Sequence, residues 1–343
     1  MSGGWLIIIF LMSMLYLFVT IVRFKMNPFF SMLSASILIG LLVKMELGAL
    51  VQSITSGFGS VMSSLGIVIA LGGLLGAFLA AAGATDSLAN YMLDKVGEKK
   101  ASLAMNITGY IISIPVFFGA AYIVLNPILR VLSRKTKKPI QVYITALSVG
   151  LLVTHCMVIP TPGPLTVAST LGVNIGWFIL YSILLSIPAS LIAGWLYGEY
   201  LGKKIPYVEP PMDAAELEHL EQGAKNNAPA GLAIFLITLP LILIVMGTII
   251  PMFTENAAVG TVCRFLTTGN GVISLLISVM AAAWMLRTYI EGNYAPMITK
   301  SFNEFGEIFM LLGAGGSFGA IVQASGIGDY FVGLLKDWNI SLI

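Results

Sequence analysis

Apolar runs of about span length, separated by short polar breaks, make up most of the chain. A bilayer-crossing helix needs about 20 mostly apolar residues. Runs of that kind fall at 5–22, 28–45, 65–82, 102–129, 140–160, 174–201, 230–252, 270–286 and 308–325. All but one read as spanning helices. The exception, 102–129, has Pro115 at its centre and Pro127 near its end, within Ile114-Pro115-Val116-Phe117-Phe118-Gly119-Ala120-Ala121. Proline removes a backbone donor and breaks a helix, and an adjacent glycine permits a turn. The expectation is a re-entrant hairpin that enters and leaves on one face. Irregular backbone at that depth has to be buried in protein or line a cavity. One kinked, overlong helix is the alternative.

Composition turns these runs into a statement about solvent. The chain has 343 residues, 57% of them hydrophobic and 10% charged, against about 25% charged in soluble domains. So little charge cannot cover a water-facing surface, so the expected class is an all-α polytopic protein of the inner, cytoplasmic membrane, in contact with lipid. A net charge of +2 gives no reason to expect nucleic acid. Cys156 and Cys263 lie far apart in apolar surroundings and suit packing, not metal binding or a disulfide. At the N-terminus, Arg23 and Lys25 follow the first apolar run, the order of a retained span and not of a cleaved signal.

Charge also orients the spans. Cytoplasmic flanks are enriched in Lys and Arg. Lys95, Lys99 and Lys100 precede 102–129, and Arg130, Arg134, Lys135, Lys137 and Lys138 follow it, as a hairpin requires. With the N-terminus outside, 15 of the 18 Lys and Arg residues fall inside; only Lys44, Arg264 and Lys336 fall outside.

The chain also carries a repeat. Gly72–Asp86 and Gly315–Asp329, 243 positions apart, share seven of 15 residues: Gly72, Gly73, Gly76, Ala77, Ala81, Gly83 and Asp86. Five crossings and a hairpin in 1–205 make the second unit start from the opposite face, so the repeat is expected to be inverted, as in many secondary transporters. Residues 206–229, with Pro210, Pro211 and the acidic run Glu216–Glu221, read as a cytoplasmic linker. Residues 230–343 read as the start of a second repeat that stops early, as in a C-terminally truncated chain or one that works with another chain.

The second irregular stretch is Thr154-His155-Cys156-Met157-Val158-Ile159-Pro160-Thr161-Pro162-Gly163-Pro164-Leu165-Thr166. Three prolines in five residues cannot continue a helix, so the helix beginning near 140 is expected to break before 166. Unwound carbonyls suit cations, and helix N-termini suit anions. The hydroxyls of Thr154, Thr161 and Thr166 suit a hydroxylated ligand; a plain extramembrane loop is the alternative. His155, the one histidine inside a span, is a functional candidate by position with a pKa range fit for proton coupling, or else a packed histidine; His219 lies in the linker. Asn106 and Asn126 sit in the hairpin arms, and Asn126 either faces the ligand or packs. Asp86 and Asp329 stand at span ends, suited to capping or pairing. No nucleophile or metal constellation suggests an enzyme, and no cofactor is expected beyond a coupling ion, H+ or Na+.

Thr154-His155 with Pro160-Thr161-Pro162-Gly163-Pro164 resembles the signature of the gluconate permease family, proton symporters of gluconate and related sugar acids within the ion transporter superfamily. Ile114–Phe118 and Gly72–Asp86 resemble that family too, and the similarity runs from about residue 30 onward. The resemblance implies inverted repeats, an elevator-type motion, a homodimer, and a half-site formed by Pro115, Phe117, Phe118, Gly119 and Ala120 of the hairpin with Asn126 and with Thr154, His155, Thr161, Pro162, Gly163, Pro164 and Thr166 of the broken helix. Two positions depart from the family: Gly119 stands where an acid is usual, and Thr161 where a histidine is usual. The leading expectation is an ion-coupled symporter of gluconate or a related small hydroxy-carboxylate, an organic anion. An inorganic-ion transporter or antiporter of the same superfamily, or an inactive fragment, are the alternatives.

Overall fold

A computed structural model describes residues 3–97, 100–116, 118–211, 227–254, 256–290 and 292–330. Every regular element among them is helical: α1 Gly3–Phe18, continued by a π-helical turn Val19–Arg23; α2 Pro28–Leu42; α3 Leu47–Ala81; α4 Ala84–Val96; α5 Ala101–Ile112; α6 Phe118–Thr136; α7 Ile140–Met157; α8 Pro162–Leu171; α9 Ile175–Ser190, continued by a π-helical segment Leu191–Leu196 and α10 Tyr197–Gly202; α11 Ala230–Ile249; α12 Ala257–Met285; and α13 Tyr294–Ala324. Among the described residues, six helices are long and apolar enough to cross a membrane, or seven if the bent α12 is one span. The protein is therefore an all-α polytopic membrane protein.

Several helices outrun the apolar segments that mark them. The 65–82 segment belongs to α3, whose 35 residues make a rod of about 52 Å at 1.5 Å per residue. Residues 47–64 are rich in Ser, Gly and Thr, too polar to read as a span, yet contain no proline to stop a helix. Similarly, 308–325 is the second part of α13. The 270–286 segment is the second limb of α12, which turns by 81° between Thr268 and Gly271; Gly271 takes φ 81°, a left-handed conformation that costs glycine little.

The chain divides into two compact units. The first contains residues 1–66 and 303–343. Its core gathers Ile9, Ile39, Leu50, Ile321 and Ile327. Asn27 caps α2 by accepting from the Phe29 N–H, with Pro28 at the first helical position, where a missing N–H costs nothing. Within this unit α3 and α13 run antiparallel. Ser317 Oγ donates to the Ile54 carbonyl at 2.8 Å, and a Cβ on either Gly57 or Gly316 would lie 2.5 Å from the other's carbonyl oxygen.

The second unit, residues 67–302, is organised around α7. Asn106 Nδ2 donates to the Ala146 carbonyl at 2.8 Å, and Thr154 Oγ1 donates to the Tyr110 carbonyl at 2.9 Å. Partners advance together along the two helices, so α5 is parallel to α7. Glycines let the backbones close: a Cβ on Gly150 would lie 2.3 Å from the Asn106 carbonyl oxygen. Helix α6 is antiparallel to α7, because Thr136 at its end bonds Tyr143 near the start of α7 at 2.6 Å. Helices α5 and α6 thus reverse direction about the break after Ser113.

The 243-residue spacing recurs in the element boundaries. Helix α3 ends at Ala81 and α13 at Ala324, each followed by a left-handed glycine, Gly83 (φ 63°) and Gly326 (φ 74°). Helix α2 starts at Pro28, and the second limb of α12 starts at Gly271. Past the end of α3 the linker returns: the Ala228 N–H donates to the Ala82 carbonyl at 2.8 Å, supplying one of the acceptor bonds a helix C-terminus lacks. The acidic run Glu216–Glu221 and His219 lie outside the described residues.

Candidate functional site

Two helix breaks meet in the second unit. The first follows α5, where the Ser113, Ile114 and Val116 N–H groups donate to the Gly109, Ile111 and Ile112 carbonyls and tighten the helix end. The second follows α7. Met157 is its last residue, the chain bends through Val158–Thr161, and α8 restarts at Pro162. Proline chemistry dictates this break, since Pro160, Pro162 and Pro164 each lack a donor N–H. Within the first three positions of α8 only Gly163 brings an N–H. That leaves the anion-attracting dipole of the new N-terminus with fewer donors than an ordinary helix start.

The second half of α3 completes the arrangement. Ile114, Pro115 and Val116 from the first break and His155, Pro160 and Thr161 from the second enclose a small space with Ile69, Gly72 and Gly73 of α3. About 10 Å³ of it is open to the centre of a water molecule, room for about one water and too little for an organic substrate in this conformation. Contact between α3 and the first break is backbone to backbone: a Cβ on Gly76 would lie 2.6 Å from the Pro115 carbonyl oxygen and 3.2 Å from Val116 Cα.

Of the residues singled out in the sequence, Pro115, His155 and Thr161 line this space. Buried Thr161 spends its hydroxyl on the Val158 carbonyl. Thr154 is also buried, and its hydroxyl ties α7 to α5 through the Tyr110 carbonyl, with a second contact to the Gly150 carbonyl. Its expected ligand-facing role gives way to a helix-joining one, because the parallel packing of α5 brings a carbonyl within reach first. Phe118, Gly119 and Ala120 begin α6, and the Phe118 ring stacks on Tyr122 at 5.8 Å. Asn126 is half-buried on α6. Pro162, Gly163, Pro164 and Thr166 lie in the first half of α8, with Gly163 exposed and Pro164 buried. Phe117 lies outside the described residues. Ile69, Gly72, Gly73, Ile114, Val116 and Pro160 complete the lining; the glycines carry a signal in the repeat, but nothing in their own chemistry points to a site.

Thr154→Val tests the helix-joining role. Losing one such bond between membrane helices is expected to cost about 0.6 kcal/mol, which lowers the melting temperature of the detergent-solubilised protein by roughly 1–2 °C. An unchanged melting temperature would mean that the Thr154 hydroxyl does not tie α5 to α7.

Away from the breaks, the far ends of the same helices are pinned. Lys138 Nζ reaches both Glu199 oxygens, at 2.9 and 2.8 Å, and Ser102 Oγ donates to the same carboxylate. Arg134 donates from two nitrogens to the Pro210 carbonyl, at 3.1 and 2.8 Å, and Arg130 donates to that of Pro211. One end of the unit thus gathers the start of α5, the α6–α7 connection, α10 and the linker. Beyond α3, Asp86 stands in the first turn of α4, where burial pushes its carboxyl above the usual carboxylate range.

Comparison with known proteins sets this geometry in context. The sequence profile of GntP family permeases matches residues 5–343. A permease of Haemophilus influenzae is 32% identical over 354 aligned residues, covering 99% of this chain and 71% of that protein. The D-serine transporter DsdX of Escherichia coli O6:H1 is 30% identical, with 99% of this chain and 76% of the relative covered. A gluconate permease of Pseudomonas aeruginosa is 28% identical with the same coverage, 99% and 76%.

Proposed function

The chain belongs to the GntP permease family, and on that premise we propose that it carries a small hydroxylated carboxylate, gluconate or a close chemical relative, across the inner membrane by ion-coupled symport. The observation that carries this reading is the meeting of two broken helices against the glycine face of α3 around one closed space. Broken helices at membrane depth are where carriers expose backbone donors and acceptors to a substrate, and such backbone is tolerated in a membrane only where it lines a cavity. The substrate class draws on the relatives: proteins similar to this one are a gluconate permease and a D-serine transporter. Both compounds join a carboxylate to hydroxyl chemistry.

The mechanism we propose follows from the closed state. Helices α5 and α6 act as a re-entrant hairpin; their opposite directions relative to α7, and the basic residues at the base of both arms, support that reading. The shared element boundaries 243 residues apart support a repeat, and the antiparallel packing of the two copies, α3 and α13, in the first unit supports its inversion. Access to the site then alternates as the breaks part from α3 on one side or the other. His155 is the titratable side chain at the lining and serves the coupling step; Thr161 shapes the second break.

Uptake of radiolabelled gluconate and of D-serine into proteoliposomes tests the proposal. Accumulation of one of them that collapses with a protonophore or on removal of Na+ is the expected result. Ion flux with no response to either compound would overturn it in favour of inorganic-ion transport. His155→Ala is expected to cut the initial rate by about 100-fold or more, the range of one positioned proton-transfer group, and Thr161→Ala by about tenfold, the loss of one hydrogen bond, with membrane levels held. Parental transport by both variants would remove the second break from the site.

A further inference from the structure

Ser113 is the last residue before the first break. Its hydroxyl is fully buried and has no hydrogen-bond partner among the described residues. Buried polar groups are nearly always paired, and each exception calls for a reason. Helix geometry gives its direction. Asn106, Tyr110 and Ser113 fall on one face of α5, and the first two meet α7 at Ala146 and Thr154. The next turn of that face therefore lies level with the last turn of α7, where His155 borders the closed space.

The lining residues include no Lys or Arg. Apart from His155, a carboxylate entering there meets only neutral donors. The Thr161 hydroxyl is committed to the Val158 carbonyl, and Pro160, Pro162 and Pro164 contribute no N–H. Ser113 is the nearby hydroxyl left over. We propose that Ser113 is a substrate-contact residue, its hydroxyl donating to the carboxylate of the transported anion once the break withdraws from α3; this rests on the carrier reading given above. The orphaned donor of the closed state becomes a charge-assisted donor in the loaded state, and hydrogen bonds to an ionised acceptor are the strong ones.

Two measurements on Ser113→Ala separate this role from a structural one. In proteoliposomes supplied with radiolabelled gluconate or D-serine, whichever the parent takes up, KM is expected to rise about tenfold, the loss of one hydrogen bond to a charged group, with the maximal rate within about twofold of the parent. Without substrate, the melting temperature of the variant in detergent is expected to equal or exceed that of the parent, since removing an orphaned buried hydroxyl relieves a cost. A parental KM would sink this inference alone. A lowered melting temperature would sink it too, because the hydroxyl would then have a partner in the protein. A parent that takes up neither compound would sink the carrier reading, and this inference with it.

Discussion

Gly76→Ala is expected to lower initial uptake roughly 100-fold, while Gly66→Ala, earlier on α3 and outside the lining, stays near the parental rate. The two changes add the same methyl group to the same helix, and only what it meets differs. At Gly66 the new carbon would meet nothing within 4 Å. At Gly76 the new carbon would lie 2.6 Å from the Pro115 carbonyl oxygen and 3.2 Å from both the Pro115 carbonyl carbon and Val116 Cα. These are backbone atoms, which cannot rotate out of the way as a side chain can. The first break must therefore stand off from α3 by several tenths of an ångström or more. Displacements of about 1 Å at a positioning element cost catalytic sites about 100-fold, and a carrier that has to close around its substrate is under the same constraint. The measurement is initial uptake normalised to protein in the membrane. If Gly76→Ala is present at parental levels and transports at the parental rate, close approach of the break to α3 is not part of the cycle.

That α3 forms one wall of the site shows where sequence reading stops. The proline-rich stretches announced both breaks, because a missing N–H is a local property readable from one residue. Pro115 stands out on that basis, His155 as the one histidine within a span, and Thr161 by its hydroxyl among the prolines; all three line the space. Gly72, Gly73 and Gly76 were visible only as a repeat; their use depends on which backbone comes to rest against them, a tertiary fact with no local signal. Thr154 shows the opposite failure. A hydroxyl at the end of a broken helix suits a ligand in sequence, but the parallel packing of α5 and α7 puts the Tyr110 carbonyl within its reach. Helix ends were misread for a similar reason. Residues 47–64 lack the hydropathy of a span, yet nothing in them breaks a helix, so α3 continues through them. The 81° bend in α12 hid its first limb, because Arg264 and the Thr267–Gly271 stretch interrupt the apolar run.

The helix pair that presents the first break owes its rigidity to Asn106, which gives the second large effect. This amide is buried in α5. It donates to the Ala146 carbonyl on α7 at 2.8 Å and accepts from Ser190 Oγ at the end of α9 at 3.2 Å. Gly194, in the π-helical segment, has no side chain to collide with it; a Cβ there would lie 2.2 Å from Asn106 Nδ2. Asn106→Leu keeps the branching at Cγ but removes both bonds and presses bulkier methyl groups against that segment. Orphaned buried partners cost about 1–3 kcal/mol in soluble proteins, whereas side-chain hydrogen bonds between membrane helices average about 0.6 kcal/mol. Two lost bonds at membrane values, with some crowding added, come to about 2 kcal/mol, or roughly 5 °C in melting temperature. Asn126→Leu on the other arm makes a fair comparison. Asn126 is half-buried and has no hydrogen bond among the described residues, so its replacement should move the melting temperature by no more than about 1 °C, as surface-like changes do. Equal shifts in the two variants would mean that α5 is held to α7 by close backbone packing at Gly109 and Gly150 alone. A large shift confined to Asn106→Leu would make the polar triad of Asn106, Ala146 and Ser190 the clamp that keeps α5 fixed while the break at its end opens and closes.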